Sequence, residues 1–246
     1  MKLSWLLALT LGLPQSLASD PVQVLNQLGH ASSAIRAQAA KTYGDGCRDR
    51  KLRRSFRKER LAHPTFKKAL RDPESQVRQA AIHMAVCFGP SNSVDALGSL
   101  LDDSDARTAL AAMTQIAHYE HPQGVTPLRK WMESRQSSCQ NGQKDYRERC
   151  VFSAYALGQA AQHEPKGSPL KREAVVALLP FLESQHPKTR EVTAVALSFV
   201  GDQREAKILQ ELLSKEQQGT FEEANSAEVL EHLKAIIAKL KMVSSQ

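Results

Sequence analysis

The fold is decided by residues 77–89, which read VRQAAIHMAVCFG. If Val77 is position zero, the small or apolar residues at positions four, seven, eight and eleven share one face of a helix that advances about 100° per residue. Gly89, at position twelve, can take the left-handed conformation that ends a helix at little cost. Upstream, the Asp72-Pro73 step predicts a tight turn after a short partner helix. Together these features predict one helical hairpin.

The same pattern recurs along the chain. Further copies begin at Ile35, Ala106, Tyr146, Thr189 and, in a weaker form that lacks the following arginine, Val229. Partner helices with apolar residues three or four apart are predicted before the copies, over residues 22–28, 64–70, 94–101, 125–132, 172–182 and 206–213. No alternating apolar and polar run bounded by turn signals predicts a strand. The sequence therefore predicts an all-α fold, an α-solenoid of about six helical hairpins with loop insertions.

Two segments, residues 72–81 (DPESQVRQAA) and 186–190 (HPKTR), resemble HEAT-like repeats, in particular the short type also found in phycobilisome lyases. The resemblance covers roughly residues 21–241. It implies a right-handed α-solenoid in which the second helix of each hairpin lines a concave face, and families of this kind mostly bind proteins. Successive copies begin 42, 29, 40, 43 and 40 residues apart. Only one interval has the short length, so insertions are predicted at residues 48–63, 135–145, 159–171 and 215–224.

The N-terminal residues have the organisation of an export signal. Lys2 precedes an apolar run that is too short to span a bilayer comfortably, and small residues stand at Ser16 and Ala18. We expect residues 1–18 to be a cleaved signal peptide and residues 19–246 to be the mature repeat array. The prediction is an exported protein, either periplasmic or secreted.

The four cysteines bear on this localisation, because an oxidising compartment permits disulfides. Four cysteines allow three pairings. We favour Cys47 with Cys87, near the ends of two successive equivalent helices, and Cys139 with Cys150, which would close a polar loop. The alternative, that Cys87 and Cys150 are simply small buried core residues, stays open at this point. No two cysteines have zinc-ligand spacing, and we predict no metal site.

The net charge of +7 comes from one segment. Residues 48–71 contain eleven lysines and arginines against two acidic residues, and the basic insertion, residues 48–63, carries Leu52 and Phe56 four residues apart. This spacing favours a helix that lies on the array. The positive charge favours an acidic polymer or an anionic lipid surface as partner, whereas export disfavours nucleic acid. The residues assigned to polyanion binding are Arg53, Arg54, Arg57 and Lys58, and the alternative is a solvated charged face.

Function is expected where the copies differ, on the helix face that points away from the partner helix. The candidate partner-binding residues on this face are Phe152, Tyr155, His83, Val86 and Val195. We call Phe152 and Tyr155 the aromatic pair. They are the most informative candidates, because large rigid side chains on an exposed helix face commonly mark an interaction surface. The alternative is that both rings are buried within the molecule.

The arginine that follows the leading residue of most copies is expected to be structural, because a residue repeated in every unit usually serves packing. Asp72 and Asp103 are its candidate partners. Neither a nucleophile elbow, nor a phosphate-binding glycine loop, nor a His-Glu-x-x-His motif occurs, and we predict no cofactor.

Two main hypotheses and a third, weaker one follow from these observations. The first is an exported, non-enzymatic scaffold that binds a protein partner through the concave face. The second is a polyanion- or membrane-surface-binding module that uses residues 48–71. A lyase-like or glycosylase-like enzyme on the same fold is the least favoured, and the oligomeric state is left open.

Overall fold

The computed structural model describes residues 20–58, 62–221 and 227–243, and every regular element in these ranges is helical. The α-helices are α1 Pro21–Gln27, α2 Ser33–Arg48, α3 Arg53–Lys58, α4 Ala62–Ala69, α5 Ser75–Ile82, α6 Pro90–Gly98, α7 Ala106–Tyr119, α8 Val125–Ser134, α9 Gln136–Gln140, α10 Arg147–Ala161, α11 Pro169–Leu178, α12 Pro187–Val200, α13 Gln203–Gln217 and α14 Ala227–Val243. Short 3-10 helices span His83–Cys87, Pro122–Gly124 and Leu179–Glu183. The predicted signal peptide, residues 1–18, lies outside the described residues. Within the described ranges, no helix is long and apolar enough to cross a bilayer.

The helices pair into the predicted hairpins. In chain order the pairs are α1 with α2, α4 with α5, α6 with α7, α8 with α10, α11 with α12, and α13 with α14. The prediction of an all-α fold of the solenoid class is confirmed. The chain divides into two compact units, Met1–Gly89 and Pro90–Gln246.

The first unit is built around α2, which packs against α1, α3, α5 and the 3-10 helix His83–Cys87. In the basic insertion, the Phe56 ring of α3 is fully buried, with its centroid 4.9 Å from that of Tyr43 in α2. The Tyr43 hydroxyl donates a hydrogen bond of 2.6 Å to the backbone carbonyl of Phe56. Burial of such a ring contributes about 2–3 kcal/mol, so this one side chain anchors α3 to α2.

Residues 77–88 do not form the single α-helix that their periodicity predicts. The α-helical part, α5, ends at Ile82, and His83–Cys87 continue as a 3-10 helix. α2 approaches this segment so closely that a Cβ atom at Gly44 would collide with the backbone of His83. Gly89 has a φ of 71°, the left-handed conformation predicted for it.

Two cysteine pairs stand at disulfide-bonding distance, and they are the pairs that the sequence favours. Cys47 and Cys87 join the end of α2 to the end of the 3-10 helix, with their Cα atoms 5.4 Å apart. Cys139 and Cys150 join α9 to α10, with a Cα separation of 5.7 Å. All four side chains are also buried. Cys87 and Cys150 therefore lie in the core, as the alternative expects, and at the same time stand in the predicted pairs.

In the second unit, the second helices of the hairpins pack side by side in the order α7, α10, α12, α14. Polar residues define where these helices begin. Asp105 caps α7 by accepting a 2.9 Å hydrogen bond from the backbone N–H of Thr108, and Pro187 stands in the first turn of α12. Asp202 and Glu205 form a capping box at the start of α13.

The recurrent arginines hold the turn that precedes their own helix. Each guanidinium donates to one or both of the backbone carbonyls five and six residues earlier; the arginines that do so are Arg36, Arg78, Arg147 and Arg190. Two of them also bind a carboxylate of the following hairpin, Arg36 to Asp72 at 2.7 Å and Arg190 to Glu216 at 2.5 Å. We call this arrangement the arginine clamp. It agrees with the structural role expected for these residues.

Candidate functional site

The aromatic pair is exposed on α10 in the second unit. The side chains of Phe152 and Tyr155 are 41% and 40% exposed, whereas Ala154 and Leu157 on the opposite face of the helix are completely buried. The Tyr155 ring lies edge-on to the ring of Phe199 in α12, with centroids 6.1 Å apart. Within the part of the chain that the structure describes, the two rings therefore remain available to a partner.

A small cavity of about 180 Å³ lies beside the aromatic pair. It is lined by Thr114, Ala117, His118, Glu120, Phe152, Tyr155 and Gln159. Glu120 ends α7 with a φ of 46°, a left-handed conformation that costs a residue with a side chain about 1 kcal/mol. Its carboxylate lies 3.0 Å from Nε2 of His163, so the cavity combines aromatic walls with an acidic residue at its rim.

A second, larger cavity of about 680 Å³ shares Phe152 with the first as a lining residue. We call it the basic groove; its lining residues are Ala106, Leu110, Lys144, Asp145, Arg147, Glu148, Arg149, Val151, Phe152, His186 and Lys188. Four of these side chains are lysine or arginine and two are acidic. The groove thus joins an excess of positive charge to the exposed Phe152 ring.

The cations of the basic groove differ in how they are partnered. Arg147 Nε donates to the carbonyl of Gly142 at 2.8 Å, and Lys188 Nζ lies 2.6 Å from a carboxylate oxygen of Glu191. Arg149 has neither kind of partner. Its guanidinium lies 5.9 Å from the centroid of the Tyr146 ring, and its Nε is shielded from solvent without a hydrogen bond to any described residue.

In the first unit, the four predicted polyanion-binding residues are all exposed on α3. Two of them are engaged by the fold. Arg53 Nε donates to the carbonyl of Cys47 at 3.1 Å, and Arg57 Nη2 donates to the carbonyl of Val86 at 3.4 Å. Arg54 and Lys58 make no hydrogen bond or ion pair with a described residue. The structure therefore divides this group into two anchoring and two solvent-facing cations.

The remaining partner-binding candidates are half-buried and do not lie with the aromatic pair in one cavity. His83 and Val86 belong to the 3-10 helix of the first unit, where His83 Nδ1 is 3.4 Å from Arg48 Nη1. Burial, and after it the positive charge of Arg48, lower the pKa of His83 below the usual range, so this imidazole is neutral at pH 7. Val195 is half-buried on α12 of the second unit.

Sequence reasoning missed Lys144 and Arg149. Residues 143–149 read QKDYRER, and this charged run directly before an apolar helical pattern was a usable signal. The run crosses the predicted boundary between the insertion at residues 135–145 and the helix that follows it, so the repeat pattern does not group its residues together. Among the residues that the structure describes, no three His, Cys, Asp or Glu side chains are gathered in a way that would hold a metal ion.

The stacked helical hairpins define this protein as a helical-repeat protein of the solenoid class. Residues 63–139 match the family model for HEAT repeats, which confirms the predicted HEAT-like repeat. The phycobilisome-lyase type has no such support and stays a prediction. No curated protein matches the chain. HEAT repeats commonly serve as scaffolds for protein interactions.

Proposed function

We propose that this protein is an exported, non-enzymatic scaffold that binds a partner protein through the exposed face of α10. The observation that carries the proposal is the aromatic pair, two large rings 41% and 40% exposed on a helix whose other face is fully buried. Such rings present much apolar area with few rotatable bonds, so they lose little conformational entropy when a partner covers them. Phe152 is the centre of this face, because it lines both cavities.

Two features support export. The lysine, apolar run and small residues of residues 1–18 have the pattern of a cleaved signal peptide. The two cysteine pairs at disulfide-bonding distance fit an oxidising compartment, periplasmic or extracellular. The test is the number of reactive thiols in the purified mature protein after unfolding without reductant. None is expected, and four would contradict the disulfides.

We call the exposed face of α10 around Phe152 and Tyr155 the docking face. It is tested by comparing the partner affinity of the wild type with that of a variant. The wild-type protein and the variant Phe152→Ala/Tyr155→Ala are immobilised and exposed to extracts of the native cell envelope, and a captured protein is then purified and titrated against both. The variant is expected to bind about tenfold more weakly or worse, the loss typical of truncated aromatic hot spots. The matched control is Val176→Ala, which shortens an exposed apolar side chain on α11 that lines neither cavity. Equal affinity of the wild type and the double variant would overturn the proposal.

A second candidate function is binding of an acidic polymer or anionic lipid surface by the basic insertion. Arg54 and Lys58 favour it, because both are exposed on α3 and neither is paired with a described residue. Sedimentation with phosphatidylglycerol vesicles at low and physiological salt tests it, since electrostatic attachment weakens as salt screens the charges. Arg54→Glu/Lys58→Glu should abolish sedimentation, with Lys130→Glu/Lys207→Glu as the control of equal charge change. Vesicle binding that the first variant retains would rule out this use of the insertion.

A further inference from the structure

We infer that the segment of the partner seated on this face is acidic, and that its carboxylates enter the basic groove against Arg149 and Lys144. The inference rests on the proposed function and adds the chemistry of the partner. The first argument is the position of the groove next to the aromatic pair, because Phe152 belongs to both. A peptide that covers Phe152 therefore places its neighbouring residues in the groove.

Arg149 is the main argument for an anion. Its guanidinium lines the groove and makes no ion pair with any described residue, while Nε is buried without a hydrogen bond. A guanidinium that has no carboxylate partner among the described residues can donate two hydrogen bonds to a carboxylate of a ligand. Stacking on Tyr146 holds the group in place before a ligand arrives, which reduces the entropy lost on binding.

Lys144 adds a second available cation. Its side chain is exposed and lines the groove, and its ammonium group makes no hydrogen bond or ion pair with the part of the chain that the structure describes. Asp145 and Glu148 also line the groove and reduce its positive potential, but Lys144, Arg147, Arg149 and Lys188 outnumber them. The N-termini of two helices add to the positive potential of the groove. Neither α10 nor α12, which begin at the groove, has a side-chain hydrogen bond capping its N-terminus, and both carry the positive end of a helix dipole there.

A peptide fits these observations better than a repeating polyanion. Apolar surface adjoins cations on this face, since Tyr155 and Phe152 line the small cavity while Phe152, Arg149 and Lys144 line the groove. A segment with an apolar or aromatic anchor flanked by Asp or Glu would satisfy both parts. A sulfated or phosphorylated polymer would leave the two rings uncovered.

The test is a selection of a random-peptide phage library on the purified protein with its disulfides intact. Enriched peptides are expected to combine an apolar anchor with several acidic residues, and their affinity should fall as salt rises from low to physiological concentration. Synthetic copies are then titrated by fluorescence anisotropy. Lys144→Glu and Arg149→Glu should each weaken binding about tenfold or more.

Matched controls separate charge in the groove from net charge and from misfolding. Lys130→Glu and Lys207→Glu make the same charge change at exposed positions of the second unit that do not line the groove, and they should bind as the wild type does. Because Arg149→Glu also removes the stack on Tyr146, its thermal unfolding is compared with that of Lys144→Glu, which changes only an exposed side chain.

The outcomes distinguish the inference from the function on which it rests. Enriched peptides without acidic residues, or acidic peptides unaffected by Lys144→Glu, overturn the inference while leaving the docking face intact if Phe152→Ala/Tyr155→Ala still abolishes binding. Peptides that bind this double variant as tightly as they bind the wild type also overturn the proposal that the exposed face of α10 is the docking face. Stronger binding of heparin or polyphosphate than of any peptide, lost in Lys144→Glu, contradicts a peptide occupant.

Discussion

Among the described residues, an arginine clamp in each compact unit reaches a carboxylate in the next hairpin, and these two clamps differ in burial. Arg36 in the first unit and Arg190 in the second donate to the carbonyls five and six residues earlier. The Arg36–Asp72 side chains keep 13% and 11% of their accessible surface, whereas those of Arg190 and Glu216 keep none. The Phe221 ring lies 3.9 Å from the Arg190 guanidinium and accounts for part of this difference.

The comparison shows that the repeat pattern determines the hydrogen bonds of the clamp, while a neighbouring segment determines its dielectric surroundings. Nothing in the sequence of the copy at Thr189 distinguishes it from the copy at Ile35 in this respect. Phe221, the residue that covers the Arg190 guanidinium, follows α13 and lies 31 positions after Arg190 in the chain. The same motif therefore yields ion pairs that differ in how strongly solvent and salt screen them.

The largest effect is expected for Glu216→Ala, which leaves the Arg190 charge buried without its carboxylate. Removing one partner of a buried pair typically costs about 3–5 kcal/mol in the free energy of unfolding. Urea unfolding measures the loss, and Glu211→Ala on the exposed side of the same helix is the control. A loss in the free energy of unfolding no larger than that of the control would show that the Arg190–Glu216 pair contributes little.

The cysteine pairs extend the comparison between the units. The first-unit pair spans 40 positions and the second-unit pair spans 11. In the loop-entropy description, Cys47→Ala/Cys87→Ala should cost about 4 kcal/mol and Cys139→Ala/Cys150→Ala about 3 kcal/mol. Thermal unfolding of the two double variants is the measurement. The reverse order would mean that native-state packing of the shorter loop outweighs chain entropy.

The copy that begins at Ala106 sharpens the comparison, because its arginine, Arg107, is exposed and its turn is held by a different group. The Asp105 carboxylate accepts hydrogen bonds from the N–H and hydroxyl of Thr108. Asp105→Ala should therefore cost about 1 kcal/mol, the usual value for a lost helix cap. The exposed Ser104→Ala serves as the control, and equal stabilities of the two variants would refute a capping role.

The smallest effect is expected for Asp72→Asn, and it should depend on pH. The Arg36 side chain, through its hydrogen bonds to the carboxylate, holds the pKa of Asp72 below its usual range. A depressed folded-state pKa stabilises the fold above the unfolded-state pKa, and this contribution is lost as pH falls below about 4 and through the folded-state pKa. The wild type should thus lose more stability than Asp72→Asn between pH 7 and pH 3. Parallel acid profiles of the two proteins would contradict the assignment.

The hairpins and the structural role of the recurrent arginines could be predicted from sequence, because both depend on a pattern that repeats along the chain. The six pairs of helices follow from apolar residues three or four apart, and Gly89 follows from its place after the last apolar residue. The 3-10 helix His83–Cys87 could not be predicted, because the apolar spacing of residues 77–88 is that of a continuous α-helix and the close contact with Gly44 comes from another helix. A 3-10 helix turns about 120° per residue instead of 100°, so face assignments for His83 and Val86 drift along the segment.

The candidate site divides in the same way. Phe152 and Tyr155 could be found because both lie on one regular α-helix, where spacing determines the face. The basic groove could not, because α7, α10, α12 and the loop before α10 all contribute to it. Which cations remain available depends on contacts such as Lys188 with Glu191, and composition does not reveal them.

The order of the cysteines has a consequence for biogenesis. Each cysteine that stands at bonding distance from a partner is paired with the next one in the chain, so the two loops neither overlap nor enclose each other. A chain that enters an oxidising compartment from its N-terminus presents Cys47 and Cys87 before Cys139 and Cys150. In an oxidising compartment, an oxidase that joins cysteines in order of arrival would form these two pairs directly, with no need for an isomerase to exchange them.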